Sequence, residues 1–172
     1  MGLRGHHKAV VSALQTVSLL LVRIGENIYA LSSHGVRGVL TKEEGGSAAI
    51  IKALGVTYVD VDLAGRLSLA LDQSNPDTRV VLYSNDHTHG AIRVDEVIGM
   101  VEMERDQCKP LPPQFHAEER TWISGTTIFR DQLVLIFSPE WVLGELGERV
   151  SVGSTGTGTR TVVQTGLEKE RC

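Results

Sequence analysis

The segment Arg79–Met103, RVVLYSNDHTHGAIRVDEVIGMVEM, gives the clearest indication of the fold class. Arg79–Tyr83 is a short apolar run of strand-forming residues, Asn85-Asp86 is a typical turn pair, and Gly90–Val94 resumes the strand character. An apolar pattern then carries on to the end of the segment. Strand, turn and strand in this order predict a β-hairpin.

The same cycle of short strands and turns occurs on both sides of that segment. On the amino-terminal side, Val17–Ile24 and Ile28–Leu31 flank a Gly-Glu-Asn turn. On the carboxyl-terminal side, Trp122–Phe129 and Gln132–Phe137 flank an Arg-Asp turn. Both pairs predict hairpins. Many short strands at this spacing are typical of barrels and sandwiches rather than of helical or parallel α/β folds.

Two such cycles predict an all-β protein of two small barrels that share one interface. The first barrel is expected over about 17–75 and the second over about 78–137. Ser138-Pro139-Glu140 marks the start of a short closing helix to Leu146, because Ser is a good N-cap, Pro fits the first turn and Glu suits the helix amino terminus. That helix is expected to pack back on the first barrel.

The two ends of the chain differ in composition from the 17–147 domain. Residues 1–16 are expected to form a flexible arm and 148–172 a disordered tail, because Ser151–Arg160 is mostly Ser, Thr and Gly and can bury almost nothing. The net charge of −4 argues against a broad nucleic-acid surface. With no apolar run long enough for a membrane span and two distant cysteines, we expect a cytoplasmic protein with reduced thiols.

Two residue pairs and one lone cysteine are candidate sites of chemistry. Asp60 and Asp62 lie two apart, as an acid–base pair does, but alternation with apolar residues is also what a half-exposed strand shows. His87 and His89 are two apart in a polar turn, without further metal ligands nearby in sequence. Cys108 has no neighbouring His to act as a base. We therefore predict no catalytic residue, no metal and no cofactor, with a barrel enzyme or small-ligand binder as the remote alternative.

The order of the segments resembles the CheW-like domain family across Val17–Leu146. No single motif is specific, but several occur in the family's order over most of the folded part. The matching stretches are Leu19–Ser32 (LLLVRIGENIYALS), His34–Leu40 (HGVRGVL), Tyr58–Leu63 (YVDVDL), Arg79–Met103 with its Val94-Asp95-Glu96-Val97 block, and Lys109–Pro112 (KPLP).

This resemblance implies two five-stranded SH3-like barrels and a non-catalytic adaptor function. The implied partners are a CheA-type histidine kinase and the cytoplasmic tip of a methyl-accepting chemoreceptor, with neither nucleic acid nor membrane insertion. The implied receptor groove lies between the barrels, and the candidates to line it are Val36, Val39, Leu40, Val97 and Ile98. Val36 and Val39 are three apart, at one helical turn, and fit a groove wall or the core equally well. Phe115 and Gln114 are the implied kinase-interface candidates.

One family motif is altered in this chain. The family usually carries N-L-R-G before its P-V-V-D-L strand, whereas Lys52-Ala53-Leu54-Gly55 stands at that position. Leu54 replaces the arginine, and an isobutyl group cannot replace a planar charged fork. The substitution keeps open a divergent CheW-like module that serves another signalling or pilus-related assembly.

Overall fold

The computed structural model describes residues 15–144, which contain ten β-strands and few helical turns. The strands are β1 (Thr16–Ile24), β2 (Asn27–Ser32), β3 (Val36–Thr41), β4 (Ile50–Ala53), β5 (Val56–Val61), β6 (Arg79–Ser84), β7 (His89–Val94), β8 (Glu96–Glu104), β9 (Ile123–Phe129) and β10 (Gln132–Phe137). The helical turns are Ser33–Gly35, α1 (Lys42–Gly45), α2 (Leu63–Arg66), Arg105–Gln107 and α3 (Glu119–Trp122). The predicted all-β, two-barrel class is confirmed.

The strands form two five-stranded sheets. The first has the order β8-β1-β2-β10-β9 and the second β3-β6-β7-β5-β4. The hairpins predicted around Gly25, Asn85 and Arg130 are all present. Each sheet also contains one parallel pair, β2 with β10 and β5 with β7, which joins hairpins that are distant in sequence.

The predicted division of the chain between the barrels is wrong. The first sheet takes strands from both ends of the domain, because β1 pairs with β8 and β2 pairs with β10. The second sheet is a continuous insert, 36–94, between them. A split near residue 76 assumed that neighbouring hairpins share a sheet, whereas in each sheet a parallel pair joins strands from distant parts of the chain.

Three apolar clusters hold the sheets together. The first-barrel interior contains Leu19, Leu21 and Val134, and the second-barrel interior contains Tyr58 and Leu82. A larger central core lies between the sheets. Its buried members come from both sheets, α2 and the closing helix: Leu20, Val22, Ile24, Tyr29, Leu31, Val61, Leu63, Ala64, Val81, Tyr83, Ile92, Val94, Phe137, Val142 and Leu143. Alternation along each strand therefore fills a barrel interior with one face and the shared interface with the other.

The closing helix begins as its sequence predicts. Its described part spans 139–144, and the Ser138 hydroxyl accepts a hydrogen bond from the Trp141 backbone N–H at 3.4 Å. Val142 and Leu143 are buried in the central core, so the helix covers the interface and not one barrel alone. The predictions for residues 1–14 and 145–172 lie outside the described residues. In 15–144, no helix is long and apolar enough to cross a membrane.

Candidate protein-interaction site

The chain passes from the first barrel to the second through Ser32–Thr41. Ser32 ends β2, one 3-10 turn follows, and β3 begins at Val36. Gly35 is buried in this turn, where a Cβ would lie only 2.4 Å from the Tyr83 Cζ. Only glycine fits so close an approach of backbone to an aromatic ring. The crossover therefore packs closely against Tyr83 of β6.

Two adjoining hollows flank the crossover, and together we call them the crossover groove. One has a volume of about 330 Å³ and lies at the first barrel; the other, about 230 Å³, lies at the second. Both are lined by Ser32 and Pro139, which join them. Polar and charged residues, His34, Arg37 and Asp86 among them, contribute to the lining of the second hollow. The crossover groove therefore combines apolar and charged surface.

Tyr83 also lines the second hollow, but its hydroxyl is fully buried. No hydrogen bond of normal geometry reaches that hydroxyl within 15–144, although the backbone of Ser32 lies close enough to influence its ionisation. Burial, with a smaller effect of the Glu140 carboxylate, raises the pKa of Tyr83 to about 12. The side chain therefore stays neutral at physiological pH.

The predicted groove residues Val36, Val39 and Leu40 do not share one face. Their segment is a strand with a bulge after Val36, not a helical turn. Val36 is half-buried against the central core and Leu40 against the second-barrel interior, whereas Val39 is 41% exposed. The helical turn inferred from the spacing of Val36 and Val39 is therefore wrong. Of the three residues, only Val39 has an exposed side chain.

The second-barrel candidates Val97 and Ile98 are separated as well. They are consecutive residues of β8, which belongs to the first sheet, so they point to opposite faces. Val97 packs against the central core and Ile98 against the first-barrel interior. Both are partly buried, and neither lines either hollow of the crossover groove.

Leu54 and Gly55 form the tip of the β4–β5 hairpin, which we call the Leu54 tip. Both have positive φ, 54° and 75°, the geometry of a type I′ turn. Gly adopts it freely, but Leu pays a backbone cost of about 1 kcal/mol. Leu54 is 74% exposed, and Ile50 on the same hairpin is 56% exposed. The altered family motif thus presents an apolar, strained tip.

Phe115 and Gln114 lie in the loop between Arg105–Gln107 and α3. Gln114 is exposed, while Phe115 is half-buried. The Arg120 guanidinium donates to the backbone carbonyls of Pro112 and Phe115, at 2.7 and 3.2 Å. These bonds fix the loop and hold both predicted kinase-interface residues at the surface.

Three of the side chains considered for chemistry have structural partners instead. Asp60 forms an ion pair with Arg93 at 2.9 Å, and Asp62 accepts from the Gly65 backbone N–H as the N-cap of α2. His89 lies 2.8 Å from the Ser84 hydroxyl, and His87 is exposed. Across residues 15–144, no three His, Cys, Asp or Glu side chains cluster in a way that could hold a metal. Burial raises the pKa of the Cys108 thiol, which disfavours the reactive thiolate.

Asp95 is the residue whose importance the sequence analysis missed. It is 4% exposed, and its two carboxylate oxygens accept from the backbone N–H groups of Gly25 at 2.7 Å and Asp72 at 2.9 Å. Asn75 also donates to its backbone carbonyl at 3.1 Å. The Asp of the Val94–Val97 block therefore ties the first hairpin to the loop between α2 and β6 of the second barrel. A charged residue directly after the apolar end of a predicted strand, at Val94, was the available signal.

Comparisons with known proteins agree with this architecture. A family model described as the CheW-like domain matches residues 18–146, and the chain therefore belongs to the CheW-like domain family, whose members are scaffold and adaptor domains. Among solved structures, it is similar to the scaffolding protein TtCheW from Thermoanaerobacter tengcongensis. That match has 18% identity and a TM-score of 0.58 and covers 72% of this chain and 90% of TtCheW, so it supports the fold alone. No curated protein sequence matches the chain significantly.

Proposed function

We propose that this protein is a cytoplasmic, non-catalytic adaptor that couples the signalling tips of chemoreceptors to a CheA-type histidine kinase. The observation that carries the proposal is the crossover groove, a concave surface between two barrels in a chain of the CheW-like family. Such an adaptor works by fixing geometry and raising the effective concentration of its partners.

The crossover groove is the proposed receptor site. A helical hairpin can lie in a groove between two packed units and present side chains at i, i+3 and i+4. Arg37 and His34 supply donors along the second hollow, while Val17 and Pro110 supply apolar contacts along the first. This mixture suits a helix tip that is partly polar.

The proposed kinase site is the loop that carries Gln114 and Phe115. An aromatic side chain held at the surface by a rigid backbone is a good interface anchor, because little entropy is lost when it binds. The bonds from Arg120 to this loop provide that rigidity. The partner surface would be the CheW-like domain of the kinase itself.

An enzymatic function has less support. The paired carboxylates Asp60 and Asp62 are used for an ion pair and a helix cap, and His89 is engaged with Ser84. A general base needs a free position within reach of a substrate proton. These groups instead serve the fold of the second barrel.

A second candidate function is a CheW-like module for a different assembly, such as a pilus-related one. The Leu54 tip favours it, because the family arginine is replaced by an exposed apolar side chain in a strained turn. Local strain that the fold does not need is often kept for a binding role. The partner would then present an apolar pocket in place of an acidic one.

The test is a binding assay of the full chain with two partners, a kinase fragment containing its CheW-like domain and a receptor signalling tip. Arg37→Glu, which changes an exposed groove residue, is expected to weaken receptor binding about tenfold and leave kinase binding intact. Phe115→Ala is expected to do the reverse. Ile128→Gln, on an exposed strand position of the first barrel, is the matched control. Binding of neither partner by the folded wild type would contradict the chemotaxis function and favour the second candidate.

A further inference from the structure

Beyond the proposed adaptor function, we infer that a surface pocket beside Trp122 and Trp141 binds a guanidinium group, the side chain of an arginine on a partner protein. The pocket has a volume of about 370 Å³ and lies between α2, α3 and the closing helix. It shares no lining residue with either hollow of the crossover groove. It is therefore a separate site, and its existence does not depend on the proposed function.

The molecule already places one guanidinium on this aromatic surface. The Arg66 Cζ lies 3.7 Å from the centroid of the Trp141 ring. Its N–H groups also donate to the backbone carbonyls of Trp141 at 2.7 Å and Val142 at 3.1 Å. This arrangement is a cation–π contact combined with charge-assisted hydrogen bonds. The charge of Arg66 is thus directed at the helix backbone.

The two indoles are held in place by further aromatic packing. The ring centroids of Trp122 and Trp141 are 5.6 Å apart, with their planes tilted by 35°. Phe137, which is buried in the central core, lies 6.3 and 5.8 Å from them. Trp122 therefore continues the stack that begins at Arg66, and part of its surface remains exposed. A rigid exposed indole is a preformed site for a second cation.

Two carboxylates supply the complementary charge. Glu118 and Glu119 line the pocket together with Trp122. Glu119 is positioned because it accepts from the His116 backbone N–H at 2.7 Å, while Glu118 is exposed. Two negative groups beside one arginine favour a cationic ligand and oppose a carboxylate or phosphate. A guanidinium, planar and weakly hydrated, matches both the indole face and the carboxylates better than an ammonium does.

The lining favours a side chain of a partner protein over a free small molecule. Small-molecule sites are mostly enclosed and apolar. Here the rim residues Ser68, Glu118 and Thr121 are exposed, and most lining side chains are polar or charged. An arginine can reach such a site while its own main chain stays at the surface.

Tryptophan fluorescence tests the inference directly, because Trp122 and Trp141 are the only tryptophans of the whole sequence. The full chain would be titrated with acetyl-Gly-Arg-Gly-amide at constant ionic strength. The control peptide carries citrulline, which keeps the shape of arginine without its charge. We expect a saturable change in tryptophan fluorescence with the arginine peptide at millimolar concentrations. The citrulline peptide should bind at least about tenfold more weakly.

Variants separate the pocket from non-specific attraction to an acidic protein. Glu118→Gln is expected to lower the affinity for the arginine peptide about threefold. Glu26→Gln, an equally exposed change in the β1–β2 turn, should leave binding unchanged. Trp122→Leu should abolish the saturable response. Because Trp122 packs on the central core, the fold of this variant is checked by circular dichroism.

Three results would overturn the inference. Equal binding of the two peptides would exclude recognition of the charge. An unchanged affinity in Glu118→Gln, or an equal loss in Glu26→Gln, would exclude this pocket. Tetramethylammonium binding as tightly as the arginine peptide would identify a site for free organic cations in place of a partner's arginine.

Discussion

The crossover groove, which lies between the barrels, and the Leu54 tip of the second barrel are two candidate interaction surfaces that are built in opposite ways. Groove residues such as Gly35 and Tyr83 are also core residues, so the shape of the groove is fixed by packing. At the tip, Leu54 is 74% exposed and nothing approaches within 4 Å of a Cβ built on Gly55. Changes at these buried groove residues should therefore affect folding first, whereas changes at the tip should affect binding first.

The largest effect is expected from Gly35→Ala in the crossover. The added Cβ would lie 2.4 Å from the Tyr83 ring, so either the ring or the backbone must move in a packed core. We expect a loss of about 3 kcal/mol in the free energy of unfolding, measured by urea denaturation. Gly55→Ala at the tip is the comparison, and its smaller cost of about 1 kcal/mol reflects positive φ alone. Equal losses at both positions would remove the distinction between groove and tip.

Asp95→Asn should have the next largest effect. The amide has only one oxygen, so one of the backbone N–H groups of Gly25 and Asp72 would face an NH₂ group and lose its acceptor. We expect about 2 kcal/mol of destabilisation, because a buried donor is left without a partner. Asp86→Asn, at an exposed turn, is the control. A variant as stable as wild type in chemical denaturation would mean that Asp95 does not tie the barrels together.

Leu54→Asn should change stability and binding in opposite directions. Asn tolerates the positive φ of a type I′ turn, so the free energy of unfolding should be about 0.5–1 kcal/mol higher than in wild type. If the tip is a binding surface, affinity for its partner should fall at the same time. Leu54→Ala removes the side chain without relieving the backbone and separates the two effects. A variant that gains no stability would show that the turn is not strained.

Tyr83→Phe should have the smallest effect at neutral pH. The hydroxyl has no hydrogen bond of normal geometry, so its removal should change the free energy of unfolding by less than about 1 kcal/mol. The folded pKa of about 12 lies above the ordinary value of 10.0, so the contribution of Tyr83 to stability is constant below pH 10 and is lost between pH 10 and 12 as the unfolded state ionises. The decline should be shallower in the variant. Denaturation curves at pH 7 and above pH 10 measure both effects, and parallel declines would contradict the assigned ionisation.

The sequence predicted local structure well because turn chemistry and alternation are local signals. The hairpins at Gly25 and Arg130 and the Ser138 cap follow from such signals. The pairing of strands that do not belong to the same hairpin does not follow from local signals. Alternation states which residues share a face but not which strand lies beside it, so the parallel pairs β2–β10 and β5–β7 and the division between barrels were not predictable.

The candidate site was predicted less completely than the fold. Val36 and Val39 were given a common face because a spacing of three fits a helical turn, but a bulged strand separates them. Asp95 appeared as part of a motif, while its role depends on backbone groups of Gly25 and Asp72 that only the folded chain brings together. The pocket at Trp122 and Trp141 joins three distant segments and had no local signal.

The central claim is that the crossover groove binds a receptor tip while a separate surface binds the kinase. The most direct measurement is the affinity of Arg37→Glu and Phe115→Ala for each partner, beside Ile128→Gln and wild type. We expect Arg37→Glu to weaken binding of the receptor tip alone and Phe115→Ala to weaken binding of the kinase domain alone, about tenfold each. Loss of both partners in both folded variants, or of neither partner in either, would contradict it.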